Sequence, residues 1–321
     1  MPDPSRIPAP QIEELAGATV VPVAAGNNLP SGVLLPDGST CDNARTMLGG
    51  PRFTDDPPPF DPATLTELPG RHLFGGIARV HFGHFLVETI SRLWALDHLD
   101  TRPESLIFLP MPGRPAKHPF GPGLTELLKL LIGDLPLHIL AAPTRAEHLL
   151  VPTQGVGHLA WSTGTPEFRH FVRSRLEAAY QPSGPEKLYI SRTQLTANDK
   201  LVDREDELEA MMQSAGYTVF HPEQHSVREQ AEHYLAARVV VGADGSAFHF
   251  AAHLLQPGTR VGLIKRRHRT EVFGAISRQI EAFGAVDLAT LHPLMPPEPG
   301  EEIARINLFR LERALRRKGF L

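Results

Sequence analysis

Residues Arg238–Gly258 read RVVVGADGSAFHFAAHLLQPG. Val239–Val241 is a short apolar β-branched run bounded by turn residues, the pattern of a buried parallel strand. Gly242-Ala243-Asp244-Gly245 then offers a turn whose backbone can approach a ligand closely. Ser246 is the expected N-cap of a helix over Ala247–Leu255, which Pro257-Gly258 stops. Strand, glycine turn and helix N-terminus together suit an anion, because free amide groups and the helix dipole point into the turn. An ordinary βα connection without a ligand has the same sequence.

Outward from this stretch the C-terminal half alternates regularly. Strands are expected at Lys187–Ser191, Tyr217–Phe220, Thr259–Ile264 and Ala285–Leu288. Between them lie helices from an Asp203 cap to Ala215, from a Ser226–Glu229 capping box to Ala237, and over Glu271–Phe283. Short βα repeats of this kind predict a doubly wound parallel sheet. Ligands of such sheets sit beyond the carboxyl ends of the strands. The residues expected there are Arg192, His221, Glu223, Asp244, Gly245, Ser246, Lys265 and Arg266, and His249 of the following helix joins the expected donor-binding set. Positive charge, backbone N–H groups and a sugar-hydroxyl acceptor suit a nucleoside diphosphate. A solvated loop side chain is the bland alternative for each.

In the N-terminal half, Arg71–Leu99 is the informative part, RHLFGGIARVHFGHFLVETISRLWALDHL. A helix from Phe82 to Leu96 would be apolar on most sides, with His81, His84, Glu88, Ser91 and Arg92 in one stripe. The stripe is either a solvent face or the wall of a cleft. His84 and Glu88, one turn apart, form a candidate acid/base pair. Further elements are expected at Ser105–Leu109, Gly123–Ile132, Leu137–Leu140, His148–Val151 and Glu167–Tyr180, with a linker at Gln181–Pro185.

The 321 residues suffice for two domains of ordinary size. A net charge of −4 gives no global basic field for nucleic acid. Cys41 is the sole cysteine, which rules out an intrachain disulfide and a cysteine-rich zinc site. No apolar run approaches the roughly 18 residues of a membrane span and no signal-peptide pattern opens the chain, so a cytoplasmic protein is expected. The absence of D-x-D, H-E-x-x-H, G-x-G-x-x-G and Walker motifs argues against the metal-diphosphate bridge, zincins, dinucleotide oxidoreductases and P-loop enzymes. His81, His84 and Glu88 could ligate zinc on paper, but no functional metal and no cofactor are expected.

Four stretches carry a family resemblance: Phe74–Leu96, Tyr189–Arg192 (YISR), Gly216–Gln230 (GYTVFHPEQHSVREQ) and Ala237–Leu254. In that order they resemble glycosyltransferase family 61, whose bacterial members include capsular polysaccharide biosynthesis proteins. The resemblance implies an α/β GT-B-like fold: an acceptor-side Rossmann-like domain at 1–180, a nucleotide-sugar-binding Rossmann-like domain at 186–298, and a terminal helix within 299–321 packing back on the first. It also implies inverting, metal-independent transfer from a nucleotide-sugar to a glycan or polysaccharide acceptor. The base would be Glu88 or His84, with His81 as an acceptor or cleft residue and Arg92 as a structural, acceptor or cleft contact. Two departures stand out. The family usually has His-Gly where this chain has Asp244-Gly245, and tends to have Asn-Glu where it has Asp203-Arg204-Glu205.

Two rivals stay open. A non-catalytic nucleotide- or glycan-binding protein could keep this fold and lack the chemistry. The basic last helix could lie on the inner face of a membrane, although packing within the fold is the expected use of its apolar residues.

Overall fold

The computed structural model describes residues 2–113, 119–197 and 201–321. The chain divides into two units, Met1–Arg175 and Leu176–Leu321. The division falls inside a helix, so the proline-rich 181–185 stretch lies within the second unit; there the Ser183 N–H donates to the Glu232 carbonyl at 3.1 Å.

The first unit is built on a seven-stranded mixed sheet. Its strands are β1 (Ile12–Ala16), β2 (Thr19–Val21), β3 (Gly32–Leu34), β6 (Thr66–Ala78), β7 (Ser105–Pro110), β8 (Leu137–Ile139) and β9 (Thr144–Pro152); β4 (Met47–Leu48) and β5 (Arg52–Phe53) form a separate hairpin. The order is β3-β2-β9-β6-β7-β8, with β1 also on β9. Strands β9, β6, β7 and β8 run parallel, whereas β1 and β2 are antiparallel to β9, and β3 to β2. A uniformly parallel, doubly wound first domain is therefore not what forms. β1 and β2 follow each other along one strand, β9, with Ala16 opposite His148 and Thr19 opposite Arg145, so the N-terminal segment runs antiparallel to β9 throughout.

The Phe74-Gly75-Gly76 triplet breaks the register of β6 against β7. A Cβ on Gly75 would come within 2.4 Å of the Phe108 ring, and Gly76 has φ +92°. Both positions therefore demand glycine, and the bulge redirects the end of β6.

The expected continuous helix after β6 is broken. One turn, α1 (Phe82–His84), is followed by a π-helical segment, Phe85–Thr89, and a 3₁₀ stretch, Leu93–Asp97. The π turn is closed by the Ile90 N–H to the Phe85 carbonyl at 3.1 Å. Such insertions carry a local cost and occur often at functional sites. The later part of the polar stripe does not face solvent, since Glu88, Ser91 and Arg92 are all buried. The Arg92 guanidinium donates to the carbonyls of Asn43 at 2.6 Å, Arg45 at 2.7 Å and Pro152, and lies over the Phe74 ring. With these donors taken by backbone carbonyls, Arg92 ties strand ends and loop together, the structural one of the roles expected for it. Burial pulls its pKa down to about 10. The unit is completed by α2 (Pro122–Ile132) and the N-terminal part of α3 (Pro166–Ala179).

The second unit has five parallel strands in the order β11-β10-β12-β13-β14. These are β10 (Lys187–Ile190), β11 (Thr218–Phe220), β12 (Val239–Ala243), β13 (Arg260–Ile264) and β14 (Asp287–Leu291). In order of appearance this is 2-1-3-4-5, the flavodoxin-like doubly wound order, whose switch point lies between β10 and β12. The connections carry α4 (Glu205–Ser214), α5 (Val227–Ala236), α6 (Ser246–Ala251) and α7 (Thr270–Gly284). The expected Ser226 capping box is present on α5. The N-cap of α6 is Gly245 rather than Ser246, and α6 ends at Ala251, short of the expected Leu255.

The last helix, α8 (Leu308–Arg317), begins at an Asn307 cap. Its Leu308, Leu311 and Leu315 are buried with Tyr189, Val241, Ile264 and Leu291 of this unit's own sheet. The Tyr217 hydroxyl adds a bond to the Phe320 carbonyl at 2.9 Å. Its apolar stripe is thus buried within the second unit.

The N-cap of α4 is Arg204, not Asp203, and it takes the left-handed conformation, φ 54°, ψ 35°. Asp203 instead accepts the Ile306 N–H at 3.0 Å. Asparagine tolerates left-handed geometry better than arginine does and caps helices well. Arg204→Asn is expected to raise the melting temperature by a degree or two, because relief of about 1 kcal/mol of strain outweighs loss of the exposed Arg204–Glu207 pair. A lower melting temperature in calorimetry would contradict this account of the cap.

Candidate functional site

Parallel pairing sets the first site. Because β6 and β9 are parallel neighbours, the loops that leave their carboxyl ends emerge side by side, although they lie far apart in sequence. The loop after β6 carries Arg79 and His84 and leads into Glu88; the loop after β9 carries His158. Thr89 fixes the first loop by accepting the Arg79 N–H at 2.9 Å and donating to the Ile77 carbonyl at 3.1 Å. The second loop is seated by the Gly155 N–H on the Ser91 carbonyl at 2.7 Å and by the Trp94 indole N–H on the Thr153 carbonyl at 3.0 Å. Gly155 has no room for a side chain, because a Cβ would meet Trp94 and Phe168 at under 3 Å.

These loops enclose one carboxylate. Glu88 Oε1 accepts from His84 Nδ1 and from His158 Nε2, the latter at 2.8 Å. Its other oxygen lies 3.2 Å from Arg79 Nε as an ion pair without hydrogen-bond alignment. Burial alone would raise the Glu88 pKa, but the bonds from His158 and His84 outweigh it and bring it down to about 2. Glu88 is thus an anion at any working pH. It has no exposed side-chain surface, whereas 34% of the His84 side chain is exposed. His81 is exposed, its ring edge-on to His84 at 5.4 Å between centroids. Of the expected N-terminal residues the structure brings His81, His84 and Glu88 together and sets Arg92 apart.

Chemically the cluster is a histidine–carboxylate–histidine relay, in which a buried anion fixes the tautomer and orientation of a partly exposed imidazole. The ligand-type atoms of His84, Glu88 and His158 all lie within 4.8 Å of one another, so these three could also hold a divalent cation. As arranged, one oxygen takes both rings and a guanidinium faces the other, so a cation would compete with Arg79 for Glu88.

The second site lies at the switch point between β10 and β12. Arg192 follows β10 and is 6% exposed. A Cβ on Gly245 would sit 2.2 Å from an Arg192 guanidinium nitrogen, so the arginine lies against bare backbone in the glycine turn. Burial lowers the Arg192 pKa, while the charges of Glu205, Asp244 and Glu223 act the other way. Glu205, at the start of α4, accepts from the Tyr189 hydroxyl at 2.9 Å and from the Arg192 N–H at 3.2 Å. Burial pushes it up to about 7, so near neutral pH it offsets only part of the local positive charge.

Other expected donor residues are placed differently. Asp244 is fully buried, accepting the Arg266 N–H at 2.9 Å and Arg267 Nε at 3.1 Å. It clamps the loop after β13 and offers no surface to a ligand. His249 bonds to Gln279 of α7. Ser246 is the half-buried first residue of α6, and Glu223 is exposed near Arg192. Lys265 donates to Thr270 at 2.9 Å and lines a separate cavity with His292 and Arg310.

Sequence reasoning did not single out His158, Arg79 or Glu205. The only local signal for His158 is a Gly-x-Gly-His turn after a strand, which becomes meaningful once β6 and β9 are known to be neighbours. For Glu205 the available signal was its place in Asp203-Arg204-Glu205, one of the two departures that the resemblance exposed.

No curated protein matches the chain. The sequence model of the family described as Glycosyltransferase 61 matches residues 82–262, more than half of the 321 residues, and includes His84, Glu88, His158 and Arg192. A mixed α/β architecture with parallel sheets fits that match, and the chain belongs to glycosyltransferase family 61.

Proposed function

We propose that this chain is an inverting glycosyltransferase of GT-B type that needs no metal, moving a sugar from a nucleotide-sugar to a glycan acceptor such as a growing capsular polysaccharide. The reading rests most on one observation: an anionic, fully buried Glu88 holds His84 from Nδ1 and leaves that ring as the accessible member of the relay. His84 takes the proton from an acceptor hydroxyl as its oxygen attacks the anomeric carbon. The bond from that carbon to the diphosphate breaks, and the nucleoside diphosphate departs with the electron pair. Glu88 stabilises the imidazolium that forms, and His158 and Arg79 keep Glu88 ionised and in place. Between the two bases left open by the sequence, the low pKa of Glu88 favours His84, because a carboxylate of pKa about 2 is too weak a base for a sugar hydroxyl.

The leaving diphosphate is assigned to the switch point of the second unit, where Arg192 supplies positive charge beside the Gly245 backbone. Glu223 is retained as a candidate hydrogen-bond acceptor for the ribose. Asp244 is assigned to loop support, which leaves the family's usual histidine at that position without a direct substitute.

Two outcomes follow. Arg192→Ala is expected to weaken nucleoside diphosphate binding at least tenfold by calorimetry, with the melting temperature retained as the check on folding; unchanged affinity would remove the donor assignment. Changing His84 to Asn and, separately, Glu88 to Gln should each lower turnover at saturating donor by about a hundredfold or more. His158→Asn should lower it less, since it acts through Glu88. Near wild-type turnover in folded His84→Asn protein would place the base elsewhere, and loss of activity on chelation, restored by a divalent cation, would replace the relay with a metal site.

A further inference from the structure

The outward face of α8 concentrates positive charge that the proposed chemistry does not use. Between Leu308 and Lys318 the chain carries Arg310, Arg313, Arg316, Arg317 and Lys318 against one acid, Glu312, in a protein whose net charge is −4. All five cations are exposed. Glu312 is paired with Arg316, and the nearby Glu298 and Glu301 with Arg305. Among the described residues no carboxylate pairs with Arg310, Arg313, Arg317 or Lys318. A favourable helix dipole accounts for cations in the last turn, but not for Arg310 and Arg313 nearer its start.

The same face carries apolar surface. Only three large hydrophobic side chains are exposed among the described residues, and Phe309, at 69%, is by far the most open. A second, Met295, lines a cavity shared with Lys265, His292 and Arg310. An adjoining cavity of about 370 Å³ is lined by His292, Arg310, Arg317 and Lys318 with Leu311 and Ala314, and neither cavity has a carboxylate in its wall. Burial, followed by the charges of Lys265 and Arg310, holds His292 below the usual imidazole range.

We propose that α8 docks this protein on an anionic phospholipid surface, with Phe309 entering the headgroup layer and phosphate groups meeting Arg310, Arg313, Arg317 and Lys318. The buried Leu308–Leu311–Leu315 stripe anchors the helix to its own sheet, so the opposite face is presented on a rigid support. Basic residues with an aromatic anchor are the pattern of interfacial helices, and each cation near a negative leaflet adds to binding. A soluble polyanion would use the cations but gain nothing from an exposed Phe309. This inference does not depend on the transferase reading.

The test is flotation of the full-length protein with vesicles of phosphatidylcholine, alone or with about one part in three phosphatidylglycerol. Binding is expected only with the anionic lipid, and it should fall steeply with added salt. Phe309→Ser should weaken it about tenfold, as should Arg313→Glu combined with Arg317→Glu, with melting temperatures unchanged because all three side chains are exposed. Binding equal on neutral vesicles, or unaffected by Phe309→Ser, would overturn the proposal. So would a concentration-dependent dimer in sedimentation that Phe309→Ser abolishes, since the face would then belong to a second copy.

Discussion

A carboxylate with no surface in water must be held by donors, or it takes up a proton. Glu88 satisfies this with two imidazoles and a guanidinium, drawn from loops that the parallel pairing of β6 and β9 places side by side. Much of the first unit is arranged to make those donors arrive. The Gly75-Gly76 bulge turns the end of β6, Thr89 closes the following loop, and Arg92 gathers three carbonyls from segments distant in sequence. The π turn at Phe85–Thr89 is the local concession: it departs from regular helix where Glu88 is held against His84.

The second unit meets a similar demand with the signs reversed. Arg192 is nearly buried, and its charge is tolerated because Glu205 and Asp244 lie close enough to act on it. Its guanidinium rests where Gly245 has no side chain. Two buried charges at carboxyl ends of parallel strands, an anion in one unit and a cation in the other, are what acid/base chemistry and a phosphate-bearing donor would respectively require.

Strand and helix positions in the second unit were largely legible, because βα repeats with short connections write a strong periodic signal. The β10, β11, β12 and β13 segments fall within a residue or two of the sequence reading. The first unit was less legible. Its antiparallel margin comes from three- to five-residue strands whose pairing depends on tertiary contact, and the Phe82–Leu96 periodicity cannot distinguish a continuous helix from one interrupted by a π turn. The pair His84–Glu88 was visible from its spacing of four. His158 was not, since its role arises from a sheet pairing and not from local pattern. The partners of Asp244 were not legible, because position in a glycine turn says nothing about which way the carboxylate is satisfied.

The central claim is that an imidazole, oriented by an ionised Glu88, accepts the acceptor's proton. The pH dependence of turnover at saturating donor tests it most directly. With Glu88 held at about pKa 2, its charge is constant above that value and lost only as pH falls through it, so it adds no limb between pH 3 and 8. The account predicts that activity falls on acidification over the range where imidazoles take up protons, with no further break where ordinary carboxylates titrate. A single acid limb in the carboxylate range, with full activity across the imidazole range, would contradict it.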